Sequence, residues 1–439
     1  MMLEKITKAL KARKELAGWS VRHIINRQAQ VYLVGQKMES QRTVNDERYR
    51  IELFRQTTGP DGTQGMGVGD VSMLPDGDIQ AAIEKASLVA GLVCNPMHTL
   101  PAPAPLPDVP VLDEGLKKDA LGTLKQATDV MQAAGSRQGE VRLTSAEGFA
   151  EVNTIHHLNS RGVDVEDETT NIDLEFVMQC KKGDQEVETF REYSRRRAAD
   201  LNIQAEVKYN AQLTLDLMQA GSPPNWQGPV VLRGNALVIF VAGDFLSPGV
   251  LQSKCSASQK FAKVSELEIG KSVFRGEVTG DPLTVWANRC IPYGIASNRF
   301  DEEGLPAQRV ELIRENKLVN FTASQRYADY LNLPQTGAFG GVEILPGKWE
   351  DDTLLEEPYR EVSLFSWFNP DNITGDFATE IRLGYIVENG MRKPFKGGQL
   401  IGNYLDALAN VRWSKETAFL GHYLGPRTAR FGNLKIAGE

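Results

Sequence analysis

Between residues 96 and 110 the chain places six of its 21 prolines in fifteen positions (PMHTLPAPAPLPDVP). Proline fixes φ and lacks an amide hydrogen, so this stretch can join neither a helix nor the interior of a sheet and reads as an extended, polyproline-like connector. The 439 residues therefore divide into an N-terminal α/β domain (1–95), the proline-rich linker (96–110), a central α+β domain (111–220) and a C-terminal β-rich domain (221–439). The first zone opens with an amphipathic helix carrying Leu3, Ile6, Leu10 and Leu16. Strands follow around 31–37 and 49–57, then a Gly-rich turn GPDGTQGMGVGD (59–70) and a helix at 78–93. The central zone starts with a helix ending at Gly135. It continues with runs such as EVNTIHHLNSRGVDVEDETTNIDLEF, apolar at every second position, which predict an antiparallel sheet. A helix from about 198 to 218 leads to a second turn, AGSPPNWQG (220–228). The predicted class is α+β: a two-layer α/β unit, a central antiparallel sheet with helices, and a barrel-like β-rich C-terminal domain.

Soft metal ligands are scarce. There are five histidines (His23, His98, His156, His157, His422) and four cysteines, no two closer than 35 positions, which excludes the CxxC spacings of zinc ribbons and thioredoxin-like sites. Four scattered cysteines without a recognisable secretory leader predict a reducing cytoplasm. The net charge of −8 argues against gripping nucleic acid, which needs a basic surface to displace phosphate counterions. The local basic run REYSRRR (191–197) reads as a solvated loop or helix start, because Asp200 and Glu206 follow it. The longest apolar run, 236–243, is eight residues, far short of a membrane span.

Common catalytic signatures fail one after another. His156 and His157 are adjacent in a strand, so they point to opposite faces and cannot chelate one ion. EIGKSVF (268–274) has the Gly-Lys-Ser of a phosphate loop but Ser265 where that loop needs glycine. GMGVGD (65–70) lacks GxGxxG spacing and reads as part of a hairpin. There is no GxSxG elbow and no HExxH helix. FDEEG (300–304) groups Asp301, Glu302 and Glu303, which read more readily as a polar turn than as a proton-sharing pair. ENK (315–317) and ENG (388–390) predict hairpins, since asparagine and glycine tolerate positive φ.

These same stretches carry a resemblance. SNRFDEEGLPAQRVELIRENKLVNFTASQRYADYLNLPQTG (297–337) and NITGDFATEIRLGYIVENGMRKPFKGGQLIGN (372–403) resemble the two hallmark segments of the TldD/PmbA proteins, also called peptidase U62 or modulators of DNA gyrase. LNSRGV (158–163) and the order of elements along the chain add to the likeness. The motif positions implied by the resemblance are Asp301, Glu303, Gly304, Gln308, Arg309, Glu388, Asn389, Gly390, Gly402 and Asn403, with structural or binding roles.

In the TldD branch an HExxxH helix and a C-terminal cysteine hold zinc, and the resemblance would make such a chain a metallopeptidase. The corresponding slot here is Phe240, Val241, Ala242, Gly243, Asp244 and Phe245, without histidine or glutamate, and the tail lacks the cysteine. Asp244 and His422 alone do not make the three-ligand set of a catalytic zinc. The sequence is therefore similar to the PmbA (TldE) branch. That branch implies a protein with no catalytic residues, metal or cofactor of its own. It would act as a homodimer, or as a heterodimer with a zinc-bearing TldD-type subunit, on unfolded peptides. Nucleic acid and membrane are not among the expected partners. Two alternatives stay open: an independent metal-dependent peptidase with an atypical site, for instance Asp301, Glu303 and His422, and a gyrase-modulating interaction protein.

Overall fold

A computed structural model of the chain describes residues 2–35, 37–136, 138–243 and 249–438. Among the described residues the strands form three sheets. The first is a curled half-barrel of six antiparallel strands in the order β3-β2-β1-β4-β5-β6. Its members are β1 (Gly18–Val34), β2 (Lys37–Thr58), β3 (Gln64–Met73), β4 (Val141–Asn159), β5 (Asp164–Lys182) and β6 (Gln185–Arg195). The α+β class and the β-rich C-terminal region agree with the sequence expectation.

Strand alternation decides which face is covered. Ile172, Leu174, Phe176, Met178 and Cys180 on β5, with Val31 and Leu33 on β1 and Ala150 and Val152 on β4, are buried. They pack under α4 (Ala120–Gly135) and α5 (Ile203–Gln219), with α3 (Glu114–Lys118) at the side. A second core lies at the other end of the same face, where α1 (Met2–Lys11) and α2 (Ile79–Gly91) cover Val21, Tyr49, Ile51 and Leu53. The opposite face is polar: Asn26 donates to Asn153 at 2.7 Å, Asn171 to Asp173 at 2.6 Å, and Gln28 pairs with Glu151. Burial of one apolar face at roughly 25 cal/mol per Å² drives the sheet, and the other face is left available for function.

The sheet runs across the proline-rich segment. β1 pairs with β4 over fifteen positions, Ser20↔Asn159 to Val34↔Ser145, so the strands before residue 96 and those after 110 share one hydrogen-bonded surface, while their helices form separate cores. Nor is the proline segment a free tether. Asn159 Nδ2 donates to Pro101 O at 2.9 Å, Thr99 Oγ1 to Asp329 at 2.9 Å, Tyr293 N to Pro110 O at 2.8 Å, and Val109 and Val111 are buried. It is a strap held between the sheet and the C-terminal domain. Proline composition signals extension, but it carries no information about what the extended chain lies against.

Two local expectations need correction. The Gly-rich stretch is a turn only over its first residues. From Gln64 onward it is β3, and its alternate glycines serve close approach: a Cβ on Gly67 would stand 1.7 Å from Ala90 O, and one on Gly69 2.1 Å from Ala86 O. Helix α2 rests directly on that bare backbone. The basic run is not a solvated loop either. Arg196 is buried and donates to Thr170 O at 2.9 Å on the sheet and to Gly294 O, Ile295 O and Ser297 O at 3.1, 2.7 and 2.8 Å on the C-terminal domain. It is a clasp between the two.

The C-terminal region stacks two further sheets on one core. It runs through β7 (Trp226–Gln227), β8 (Val230–Arg233), α6 (Gly234–Ala242), α7 (Val250–Lys254), α8 (Ala257–Phe261), β9 (Val285–Asn288), β10 (Arg309–Arg314), β11 (Lys317–Leu318), α9 (Gln325–Leu331), β12 (Gly341–Ile344), α10 (Asp351–Leu354), β13 (Tyr359–Phe365), β14 (Asp376–Glu388), β15 (Met391–Phe395), β16 (Gln399–Asn403), α11 (Tyr404–Ala409), β17 (Val411–Trp413), β18 (Thr417–Leu420), β19 (Tyr423–Pro426), β20 (Thr428–Phe431) and β21 (Lys435–Ala437). One sheet has the order β11-β10-β9-β12-β19-β18; the other follows β17-β20-β8-β13-β14-β16-β21-β7, with β15 on β14. Both predicted hairpins form, with Glu315 and Asn316, and Asn389 and Gly390, at positive φ.

Candidate functional site

The two families of expected site residues fall in different places. The slot compared with a zinc helix is α6, and its described members Phe240, Val241 and Ala242 are buried, with Gly243 capping the helix at φ 78°. Phe240 stands at the centre of an aromatic cluster, 5.1 Å from Tyr404, 5.0 Å from Phe431, 5.2 Å from Phe368 and 5.8 Å from Phe377 between ring centroids. Such contacts contribute dispersion and burial and supply no donor atom to a cation. The donor chemistry of these positions does not fit zinc. Asp244 and Phe245 lie outside the described residues. Among the described residues, no three His, Cys, Asp or Glu side chains come together in a way that could hold a metal ion.

The FDEEG loop, in contrast, packs against the polar end of the half-barrel. Asp301 Oδ1 accepts from the amides of Glu303 and Leu305 at 2.9 and 3.0 Å, and its Oδ2 from Ala338 at 3.1 Å. Its charge is spent closing the loop, which is a turn, as the sequence suggested. Gly304 follows at φ 86°, and a Cβ there would meet His157 Cδ2 at 2.7 Å. Glu303 is partly buried beside it and accepts from Gln325 N at 2.6 Å. Burial first, and the nearby Asp301 charge second, push its pKa up to about 7.

Around Glu303 gather groups from four parts of the chain: Ser20 and Glu52 from the N-terminal strands, His98 from the proline strap, and His157 and Asn159 from β4 line one small cleft with it. His157 is 1 % exposed and neither ring nitrogen makes a hydrogen bond of good geometry. Burial and then the Arg22 charge hold its pKa down to about 4, against a smaller contrary pull from the Glu303 backbone. His98 is also buried, between Phe54 and Tyr330 at 5.5 and 5.6 Å, with its pKa lowered mainly by burial. His156, on the other face of the same strand, bonds Asp164 at 2.6 Å. Glu52 is paired with Arg326 at 3.2 Å. A neutral imidazole beside a carboxyl that titrates near neutrality is the kind of pairing found where protons or polar ligands are handled.

The remaining motif residues hold the C-terminal domain together. Arg309 clamps Glu343 with two bonds of 2.8 Å while its guanidinium covers Trp286 at 4.1 Å. Glu388 accepts from Arg360 at 3.0 Å, Gly390 N donates to Glu357 at 2.8 Å, and Gln308 reaches Gln335 O at 3.4 Å. Asn403 caps α11, accepting from Leu405 N at 3.1 Å, and donates to Thr374 O at 2.8 Å; Gly402 lies tight under Leu434. His422 stands in the β18–β19 turn, its carbonyl accepting from Val342 N at 2.8 Å. Three groups now seen at the half-barrel end escaped the sequence reading: Arg22, Glu52 and Arg289. Isolated arginines and glutamates carry no spacing signal; the register of β1 against β2 sets Arg22 near Glu52, and docking of the C-terminal domain on the sheet brings Arg289 to them.

Residues 241–438 match the family model described as the PmbA/TldA metallopeptidase C-terminal domain. Over these residues the chain is similar to the C-terminal domain of the PmbA/TldD proteins. An uncharacterized protein of Methanocaldococcus jannaschii is 26% identical over 302 residues, 65% of this chain and 67% of that protein. Among solved structures, TldE from Thermococcus kodakarensis superposes with a TM-score of 0.82 at 18% identity, covering 100% of both chains. A Thermotoga maritima protein described as a candidate modulator of a DNA gyrase gives 0.82 at 18% identity over 99% of this chain and 100% of its own. A Bacteroides thetaiotaomicron protein described in similar words gives 0.79 at 14% identity, with 100% and 98% covered. At these identities the structural likeness establishes a shared fold. The chain shares this α+β fold, with its half-barrel and FDEEG loop forming one polar end, and none of its described helices is long and apolar enough to cross a membrane.

Proposed function

We propose that this chain is a metal-free subunit of a TldD/PmbA-type metallopeptidase complex that acts on unfolded or flexible peptides, with zinc supplied by a TldD-type partner. The observation that carries the reading is α6: where a TldD-type chain would present ligands, this one presents Phe240 inside a five-ring aromatic cluster. An apolar, fully packed helix gives rigidity to a scaffold and leaves hydrolysis to another subunit. The polar face of the half-barrel supports a peptide-holding role, because its amides and carboxylates offer hydrogen bonds to a backbone without selecting side chains. The β2 edge beyond its pairing with β3, residues 37–48, is likewise open to an added strand.

The experiment is co-purification with a zinc-bearing TldD-type paralogue, followed by cleavage of an unfolded peptide. The reading expects a stable complex that cleaves and a lone chain that does not. Cleavage by the lone chain that a chelator abolishes would favour the independent peptidase instead. A second reading, a protein that modulates DNA gyrase through protein contact, draws on the descriptions of the Thermotoga and Bacteroides relatives. It predicts association with gyrase subunits, and the acidic net charge of −8 makes contact through DNA unfavourable.

A further inference from the structure

Beside the FDEEG loop, a cavity of about 300 Å³ opens where β1, β4 and β5 meet the C-terminal domain. Arg22 and Arg289 face it, together with Asn153, Thr169, Asn298 and Phe339. The two guanidiniums are left short of acceptors. Arg22 is 14% exposed, yet among the described residues it makes no hydrogen bond; its one ion pair is with Glu302 at 3.8 Å, itself 79% exposed, with Asp301 and Glu52 adding weaker attraction. Arg289 is 8% exposed. Its Nη2 donates to Phe300 O at 2.9 Å and, with the Asn298 amide turned to satisfy its neighbours, to the Asn298 side-chain oxygen at 3.1 Å; its Nη1 makes a long bond of 3.4 Å to Phe339 O, and its Nε has no partner. Buried guanidinium donors without acceptors are rare, because each unmade bond carries the full desolvation cost.

The acids in the wall cannot fill this need. Asp301 is committed to three backbone amides, and Asp167 accepts from Arg299 N at 2.8 Å and Glu168 N at 3.1 Å. They do limit the charge of any guest. A phosphate dianion would face Asp167, Asp301 and Glu302 together, whereas a planar monoanion matches the guanidinium fork and adds a single negative charge. Ile155, Phe300 and Phe339 give the same cavity an apolar side suited to one small side chain.

We propose that Arg22 and Arg289 form a binding site for a single carboxylate, that of a small N-acylated acid or of the C-terminal residue of a peptide. The peptide source rests on the proposed peptide-holding function; the site itself does not. A chain end anchored here would lie at the margin of the polar half-barrel face, with the rest of the peptide free to run along it.

Calorimetric titration of the full chain with N-acetylalanine and with N-acetylalanine amide tests the site. The acid should bind roughly tenfold or more tightly than the amide, since charge-assisted bonds to a guanidinium are lost in the amide. Arg22→Gln, which breaks no hydrogen bond within the protein, should fold normally and bring the acid down to the level of the amide. Glu302→Gln, at an exposed position, should tighten acid binding about two- to fivefold by removing the competing charge. Equal binding of acid and amide, or unchanged acid binding in Arg22→Gln, overturns the proposal. One unstructured peptide in free-acid and amide forms then identifies the source. Preference for the free acid supports a chain end. A response to N-acetylalanine with no binding of either peptide keeps the site as one for small acids and counts against the peptide-holding reading.

Discussion

Replacing Glu303 with glutamine separates two opposed proton equilibria at the half-barrel end. Glu303 titrates near 7 in the folded chain against an ordinary 4.5, so the folded state holds a proton that the unfolded state has released between those values. Stability from this group is therefore fully present below 4.5 and is lost as pH rises through 7. The gap is worth about 3 kcal/mol at roughly 1.36 kcal/mol per pH unit, and solvent access to a partly buried side chain reduces this to ~1–3 kcal/mol. His157 works the other way. Its folded pKa of about 4 lies below the ordinary 6.5, so its contribution is present above 6.5 and is lost as pH falls toward 4. Between 4.5 and 6.5 the two slopes oppose one another and the native protein's stability should be nearly level. Glu303→Gln keeps an acceptor for Gln325 N and removes one slope. Urea unfolding midpoints across about pH 4–9 are the assay: the variant should be more stable than the native chain by ~1–3 kcal/mol at about pH 8, equal to it at about pH 4, and newly acid-sensitive between. Parallel curves for the two proteins over the whole range would refute the reasoning.

Arg196→Met should loosen the C-terminal domain from the half-barrel at a cost of about 3–5 kcal/mol, since four carbonyls lose a charged donor; limited proteolysis between 285 and 300 should accelerate. Phe240→Ala should cost about 3–5 kcal/mol through a cavity in the aromatic cluster, read as a fall in melting temperature with no change in metal content. Gly67→Ala places a methyl against Ala90 O. It should destabilise by more than about 2 kcal/mol, whereas Gly35→Ala, which meets no atom, bears only the penalty of its positive φ, about 1 kcal/mol.

The elements with local codes were legible in the sequence. The ENK and ENG hairpins, α2 and the alternating strands around His156 and His157 depend on residues adjacent in the chain, and so does the turn that Asp301 closes. The family motifs marked Asp301, Glu303 and Gly304, and the structure brings these three against one another and against His157. What escaped depends on long-range register. The β1–β4 pairing brings residues 20–34 against 145–159 across the proline strap, and no pattern within either strand names its partner. For the same reason a basic run looked solvated although Arg196 reaches the carbonyls of residues 294–297, and isolated Arg22 and Arg289 gave no sign of sharing a cavity. The glycines of β3 carry only a turn preference when seen in the chain alone; their use, contact with α2, is visible only once the helix is docked.

The central proposal is that this chain leaves zinc chemistry to a partner, and the metal content of the purified protein tests it most directly. After incubation with excess zinc and removal of loosely bound ion, the account predicts far less than one zinc per chain, with Phe240→Ala unchanged in this respect. One tightly held zinc per chain, removable by a chelator together with peptide cleavage by the chain alone, would contradict it.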